Sequence, residues 1–286
     1  MMRRSSSVPA GRIAGNVLRM AVILLVTIVY IYPFFWLFLS SFKSNAEIFG
    51  NALGLPSEWN WSVYREAWQG SGQYTYTTFF VNTFLVVVPV VLLTLVTALL
   101  VAYGFARFQF KLKRLFFTLM LSTMMLPATV MMIPRYLMFS RMHLVDTYVP
   151  LILPSLFGGG AFFIYLLLQF IRGIPQDLDE AARIDGCSSL HILVRVIFPL
   201  SIPALFSAGV FQFMWTWNDF FNQMLYINSV SKYTIALGLK MSLDMTTNVA
   251  WGKLFAMCLA SAVPPFILFF IAQKYLVEGI ATTGLQ

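Results

Sequence analysis

The chain has 286 residues, 59% of them hydrophobic and only 10% charged, with a formal net charge of +8. A soluble domain carries about a quarter of its residues as charges, and one with so few would expose large apolar patches to water. The composition calls for lipid as the solvent, and the basic residues sit in short runs between apolar stretches, as membrane orientation requires, rather than in the basic face of a nucleic-acid binder.

A bilayer core about 30 Å thick needs about 20 apolar residues of helix. Six stretches lack Asp, Glu, Lys and Arg over about that length: Met20 to Leu39, Phe79 to Ala106, Leu115 to Ile133, Tyr148 to Ile171, Val196 to Asn218, and Leu254 to Ala272. None alternates with the period of two of a membrane barrel strand, whereas a helix satisfies its backbone internally, as hydrocarbon demands. The expected fold is an all-α membrane protein with six transmembrane helices. Residues 1–19 form an N-terminal segment, 20–277 the transmembrane domain and 278–286 a C-terminal tail. The first apolar run is too long for a signal-peptide core and lacks a small-residue cleavage pattern after it, so it is expected to remain as a helix.

Along the chain, Asn82 near the start of the second span suits a helix cap or a bond to a neighbouring helix. Pro127, Pro199, Pro203, the pair Pro264 and Pro265, and the run Gly158 to Gly160 interrupt the helical pattern. They are either close-packing positions or bending points of a moving pore. Lys and Arg are densest in the segments holding Arg12 and Arg19, Arg107 to Arg114, and Arg172 to Arg195, which makes those segments and both termini cytoplasmic. The longer connections, Ser44 to Thr78 and Tyr226 to Lys253, then face outward. Their Trp59, Trp61, Trp68 and Trp251 fit an interfacial belt or a docking surface for an external partner.

Cys187 and Cys258 give no disulfide framework, and His143 and His191 stand apart from any cluster at metal spacing. No metal site is expected. There is no Gly-rich phosphate loop ending in Lys-Ser/Thr, no charged residue at mid-span to serve as an ion relay, and no convergent catalytic set. The expectations are therefore that the chain is not an enzyme and holds no cofactor of its own; a secondary, ion-coupled transporter is the alternative that six spans and basic inner loops leave open, and an intramembrane enzyme is the further rival.

Between the fourth and fifth spans, residues 172–199 parse as two short helices joined at a corner. Pro175 suits a first helical turn, and Asp177, Asp179 and Glu180 complement the positive end of a helix dipole. Gly186 suits the left-handed residue that closes a helix, and Ser188 or Ser189 can cap the next helix, running to Pro199. Leu178, Ala181, Ala182 and Asp185 share one face by spacing, flanked by Glu180 and Arg183. The two alanines leave a shallow surface that a partner backbone can approach.

Glu180-Ala181-Ala182, Asp185-Gly186 and Pro199 resemble the EAA coupling loop of ABC-importer permeases, whose pattern is Glu-Ala-Ala, two residues, Asp-Gly, and a later proline. The likeness extends through Tyr32-Pro33, Ser41-Phe42-Lys43, Val81-Asn82-Thr83, Ala102 to Arg107, Trp217 to Phe220, Lys232-Tyr233-Thr234 and Gln273-Lys274-Tyr275 with Gly279. Together these segments look like the maltose-type sugar permeases. Cys187 stands where a small residue such as Ala is usual, and the tail Gly284-Leu285-Gln286 lacks the family's Lys-Gly ending. The resemblance implies an inner-membrane subunit of a bacterial or archaeal importer working by alternating access. Its partners would be a second homologous permease, two cytoplasmic ATPase subunits that carry ATP and Mg, an external sugar-binding protein, and membrane lipid, with no nucleic acid. The substrate it implies is a sugar or oligosaccharide, with a sugar alcohol or glycerol phosphate as the alternative.

Sugar recognition favours aromatic faces and Asn or Asp side chains. Trp215, Trp217, Asn218 and Asp219 offer both, as a substrate path or as an interfacial Trp pair beside a solvated carboxylate. A straight helix from Val196 puts Asp219 about 35 Å along, at the outer boundary.

Overall fold

The computed structural model describes residues 10–70, 73–244 and 249–283. Arg3 and Arg4 of the N-terminal segment and the last residues of the tail, Gly284 to Gln286, lie outside the described residues. The chain divides into two compact units, 1–68 with 246–260 and 69–245 with 261–286. No strand occurs among the described residues.

In the first unit, α1 (Ala10–Ser41) is followed by two short helices, α2 (Asn45–Gly50) and α3 (Ser62–Trp68). A capping box starts α2: Ser44 Oγ accepts the Glu47 N–H at 3.3 Å and the Glu47 carboxylate accepts the Ser44 N–H at 2.8 Å, satisfying two backbone donors that the helix leaves open. Phe42 packs against Phe38, Trp59, Trp61 and Tyr64. Trp59 and Trp61 thus take part in an aromatic cluster around the end of α1.

The second unit holds α4 (Tyr76–Arg107), α5 (Lys113–Met124), α6 (Ala128–Arg141), α7 (Val149–Ile152) and α8 (Ala161–Arg172). After them come α9 (Asp177–Ile184), α10 (Ser189–Ile192), α11 (Phe198–Leu200), α12 (Ile202–Trp217), α13 (Phe221–Tyr226) and α14 (Ile235–Asp244). The last helix, α15 (Trp251–Thr283), has residues in both units. Its Pro264 and Pro265 lie inside the helix and do not end it.

Four of the six expected spans are helices long and apolar enough to cross a membrane: Gly15–Ser41, Tyr76–Arg107, Val149–Arg172 and Trp251–Gln273. The third and fifth are each a pair of helices meeting at a sharp bend. The run expected over Leu115 to Ile133 is α5 and α6, bent by 100°, and that over Val196 to Asn218 divides at Ser201 with a bend of 75°. Proline is the cause in both. Pro127 cannot donate to the ladder and pushes Leu126 out of the helical region. Pro199 and Pro203, four residues apart, remove two successive hydrogen bonds from one side of the helix. Each bent pair counted as one span brings the total to six.

The fourth span is interrupted at Gly158, Gly159 and Gly160, all with positive φ. At Gly159 a Cβ would lie 2.3 Å from Thr94 Oγ1, so glycine here allows both the backbone turn and the approach of α4. Thr97, one turn further along α4, tends the break. Its Oγ1 accepts the Gly158 N–H at 3.1 Å and lies 2.6 Å from Leu93 O and 3.0 Å from Ser155 O. Between α4, α8 and α12 sits the core of this unit, with Ala98, Ala102, Leu167, Leu168, Ile171 and Ala208 fully buried.

Candidate functional site

The segment after α8 is a helical knob. Gln176 O accepts the N–H groups of Asp179 and Glu180, so α9 begins at Asp177 and Pro175 precedes the helix instead of lying in its first turn. Proline's fixed φ sets the approach to the helix there. The C-terminus closes by a Schellman motif: the Gly186 N–H donates to Arg183 O at 3.0 Å and the Cys187 N–H to Ala182 O at 2.9 Å, with Gly186 at φ +80°. Ser188 then caps α10, its Oγ accepting the His191 N–H. The corner expected at Gly186 is present.

The two faces of α9 differ from the expected pattern at one position. Leu178, Glu180, Ala181, Arg183, Ile184 and Asp185 are exposed, whereas Ala182 packs with Cys187 against the core. Ala182 therefore supports the knob from inside and Ala181 alone is the small residue on its outer face. The inward face also holds Asp179, which local rules had assigned only to the helix dipole. Its Oδ2 lies 2.6 Å from Nε of Arg107, the last residue of α4, with both side chains almost wholly out of solvent. Arg107 Nη2 also donates to Ile174 O at 2.8 Å, and Tyr103 OH donates to Ser189 O at 3.1 Å. Pro199 stands on the exposed side of α11, just before the bend at Ser201.

A second feature is a polar cavity of about 170 Å³, lined among others by Arg135, Gln212, Trp215, Asp219, Gln223 and Tyr226. Of the four residues expected on a substrate path, Trp215 and Asp219 reach it. Trp217 does not: it is 4% exposed, packs on Phe80, Phe84 and Phe213, and donates its ring N–H to Ser261 O. Asn218 donates to Met214 O, capping its own helix. Asp219 accepts two bonds from Asn222 Nδ2 and one from its backbone N–H. Counted from the bend at Ser201, only about 26 Å of helix rise leads to Asp219, less than the straight count, because the bend removes the first leg.

Gln212, Gln223, Tyr226 and Arg135 line the cavity without belonging to any motif legible in the sequence. Gln212 Nε2 donates to Thr216 Oγ1, while its Oε1 is buried without a partner, as is the hydroxyl of Tyr226. Gln212, Trp215 and Thr216 share one face of α12 at helical spacing, with Asp219 and Gln223 following beyond its end; two polar side chains on one face of an apolar span were the available signal.

Residues 94–282, which include the knob and most of the cavity lining, match the family described as binding-protein-dependent transport system inner membrane component. The chain belongs to that family. This permease is 35% identical to the probable ABC transporter permease protein YurM of Bacillus subtilis (strain 168), over 89% of this chain and 83% of that one. It is 29% identical to the arabinooligosaccharides transport system permease protein AraQ of the same organism, over 100% of both chains. Among solved structures, a bacterial ABC transporter involved in the import of the acidic polysaccharide alginate superposes with a TM-score of 0.81 at 25% identity, covering 94% of this chain and 98% of that one. The chain is thus an ABC transporter permease, a transport component of the inner membrane.

Proposed function

We propose that this permease carries a sugar or oligosaccharide into the cytoplasm by alternating access, driven by ATP hydrolysed on partner subunits. The observation that carries the reading is the knob: a capped helix, α9, closed by a left-handed glycine, with Glu180, Ala181, Ile184 and Asp185 turned to solvent. Leu178 and Ile184, 42% and 88% exposed, give the outer face of the knob apolar area that a docking partner can bury. That partner is a cytoplasmic ATPase subunit, one of two, which binds ATP and Mg. The knob and both termini are on the cytoplasmic side. A second homologous permease completes the pore, and an external binding protein delivers substrate, in keeping with the family's description.

The oligosaccharide assignment is supported by the names of the relatives and by the cavity. Hydroxyl groups are both donors and acceptors, so they suit the unpartnered Gln212 Oε1 and Tyr226 OH, while Trp215 offers a ring face. Its volume is below the ~300–1,000 Å³ of drug-sized sites, which suits one ring of a longer chain passing through.

The test is to tag the chain, purify it from its native membrane, and reconstitute the complex with its binding protein in vesicles. Uptake of a labelled oligosaccharide should require ATP on the knob side and an ATPase subunit that co-purifies. Uptake by the chain alone, or the absence of any nucleotide-hydrolysing companion, overturns the reading.

A further inference from the structure

We propose that Arg107, with Tyr103 one turn before it, is the strut through which the knob moves the second span; this rests on the reading that α9 meets an ATPase subunit. The two side chains lie four residues apart on one face of α4. Between them they hold three points of the knob segment: Ile174 before α9, Asp179 within it, and Ser189 at the start of α10. A single turn of α4 therefore grips the whole segment.

The chemistry of the grip argues for transmission and against simple stability. The Arg107 and Asp179 side chains are 3% and 6% exposed, and Asp179 Oδ1 is buried with no hydrogen-bond partner. Desolvating two charges costs so much that an apolar pair of similar volume usually serves stability as well or better. What an ion pair adds is register. The apolar contacts around it, among Ile174, Ile192 and Leu193 and residues of α4 and α8, let one surface slide over another. Arg107 resists that sliding by pairing its charge with the carboxylate, a contact without hydrogen-bond geometry at Nε, and by the Nη2 bond to the Ile174 carbonyl. The outer face of α9 is left for the partner and the inner face is locked to α4, so displacement of the knob is passed to the helix whose Val86 and Val90 line the polar cavity. Arg107 is a positioning residue: it touches neither substrate nor nucleotide.

The test replaces the ion pair with an apolar one, Arg107→Met with Asp179→Leu, in the full complex purified with its ATPase subunits. A reporter cysteine at Val90, with Cys187→Ala and Cys258→Ala, is labelled with a small water-soluble maleimide before and after ATP is trapped with vanadate. With the ion pair intact, trapping should change the labelling rate at least about fivefold, the lower end of coupling between linked sites. With the apolar pair, ATP should still be trapped but the change should fall below about twofold. An unaltered response overturns the proposal. If the apolar pair does not assemble, Arg107→Gln with Asp179→Asn, which removes both charges and keeps the side chains polar, gives the same reading: a lost response supports the strut and a full one refutes it. Failure of both pairs to assemble would make the bridge a folding element, and the proposal falls. No ATP-driven change with the natural residues sinks the importer reading itself, and the strut with it.

Discussion

Replacing Gly186 isolates the backbone geometry of the knob from its packing. The residue sits at φ +80°, and a Cβ there would meet nothing within 4 Å. Alanine therefore adds no clash; its cost is only that of holding an L-residue in the left-handed region, about 1–2 kcal/mol. The chain can relieve that strain by opening the Schellman corner, breaking the bonds from Gly186 to Arg183 and from Cys187 to Ala182. Docking must close the corner again, so affinity for the ATPase subunit should fall by the same amount, about five- to thirtyfold. Asparagine, which visits this region readily, should bind close to the natural protein, and valine, β-branched, should be the weakest of the three. Titration of the purified ATPase subunit against the permease in nanodiscs measures the series. Equal affinities for Ala, Asn and Val would refute the argument, because they would show that the closed corner is not what the partner binds.

Three further outcomes are expected. Asp146 is held well below the usual carboxylate range by the Ser229 hydroxyl, then by the backbone N–H of Ser229, with Lys232 and the Asn228 N–H adding to it. Its folded value is depressed, so its stabilisation is fully present above the unfolded value of about 3.9 and is lost as pH falls through the folded one. Melting of Asp146→Asn in detergent should therefore trail the natural protein at neutral pH and converge with it only well below pH ~4; a gap that closes near pH ~6 would contradict this. Gln212→Leu removes a polar group from the cavity and should raise the KM for oligosaccharide by about five- to tenfold, the worth of one net hydrogen bond, whereas an unchanged KM would separate the cavity from the substrate path. Gly159→Ala should lower stability by about 1–3 kcal/mol through overpacking against Thr94. Adding Thr94→Ala removes Oγ1 and Cγ2 but leaves its Cβ 2.9 Å from the new one, so only part of that loss should return, the remainder being this contact and φ +63°; complete recovery, read from melting curves, would show that neither carries strain.

Much of the architecture was legible because hydrophobic length and helix-end signals are local properties. The six apolar runs, the corner at Gly186 and the Ser188 cap could be read from neighbours a few residues apart. The sharp bends could not be sized: Pro127 and Pro199 marked the places, but a count of uncharged residues treats a broken span and a straight one alike. The Arg107–Asp179 bridge was illegible for another reason. Each residue already had a sufficient local role, one as an orienting charge and the other at a helix N-terminus, and nothing local joins partners so far apart in the chain. Ala182 turned inward because Asp179, three residues earlier, fixes which face of α9 meets α4. The cavity was half seen: the aromatic motif drew attention to Trp217, which is core, while Gln212 and Thr216 share a face of a helix counted only as apolar.

The hydroxyl of Thr97 has a consequence for what substitutions that span can tolerate. Valine copies threonine's shape almost atom for atom, and in a water-filled loop the exchange would go unnoticed. Beside the glycine break it would strand the Gly158 N–H, and acyl chains offer nothing to take its place. Position 97 is thus governed by polarity where shape alone would admit valine, and one side chain on another helix holds the glycine run in place.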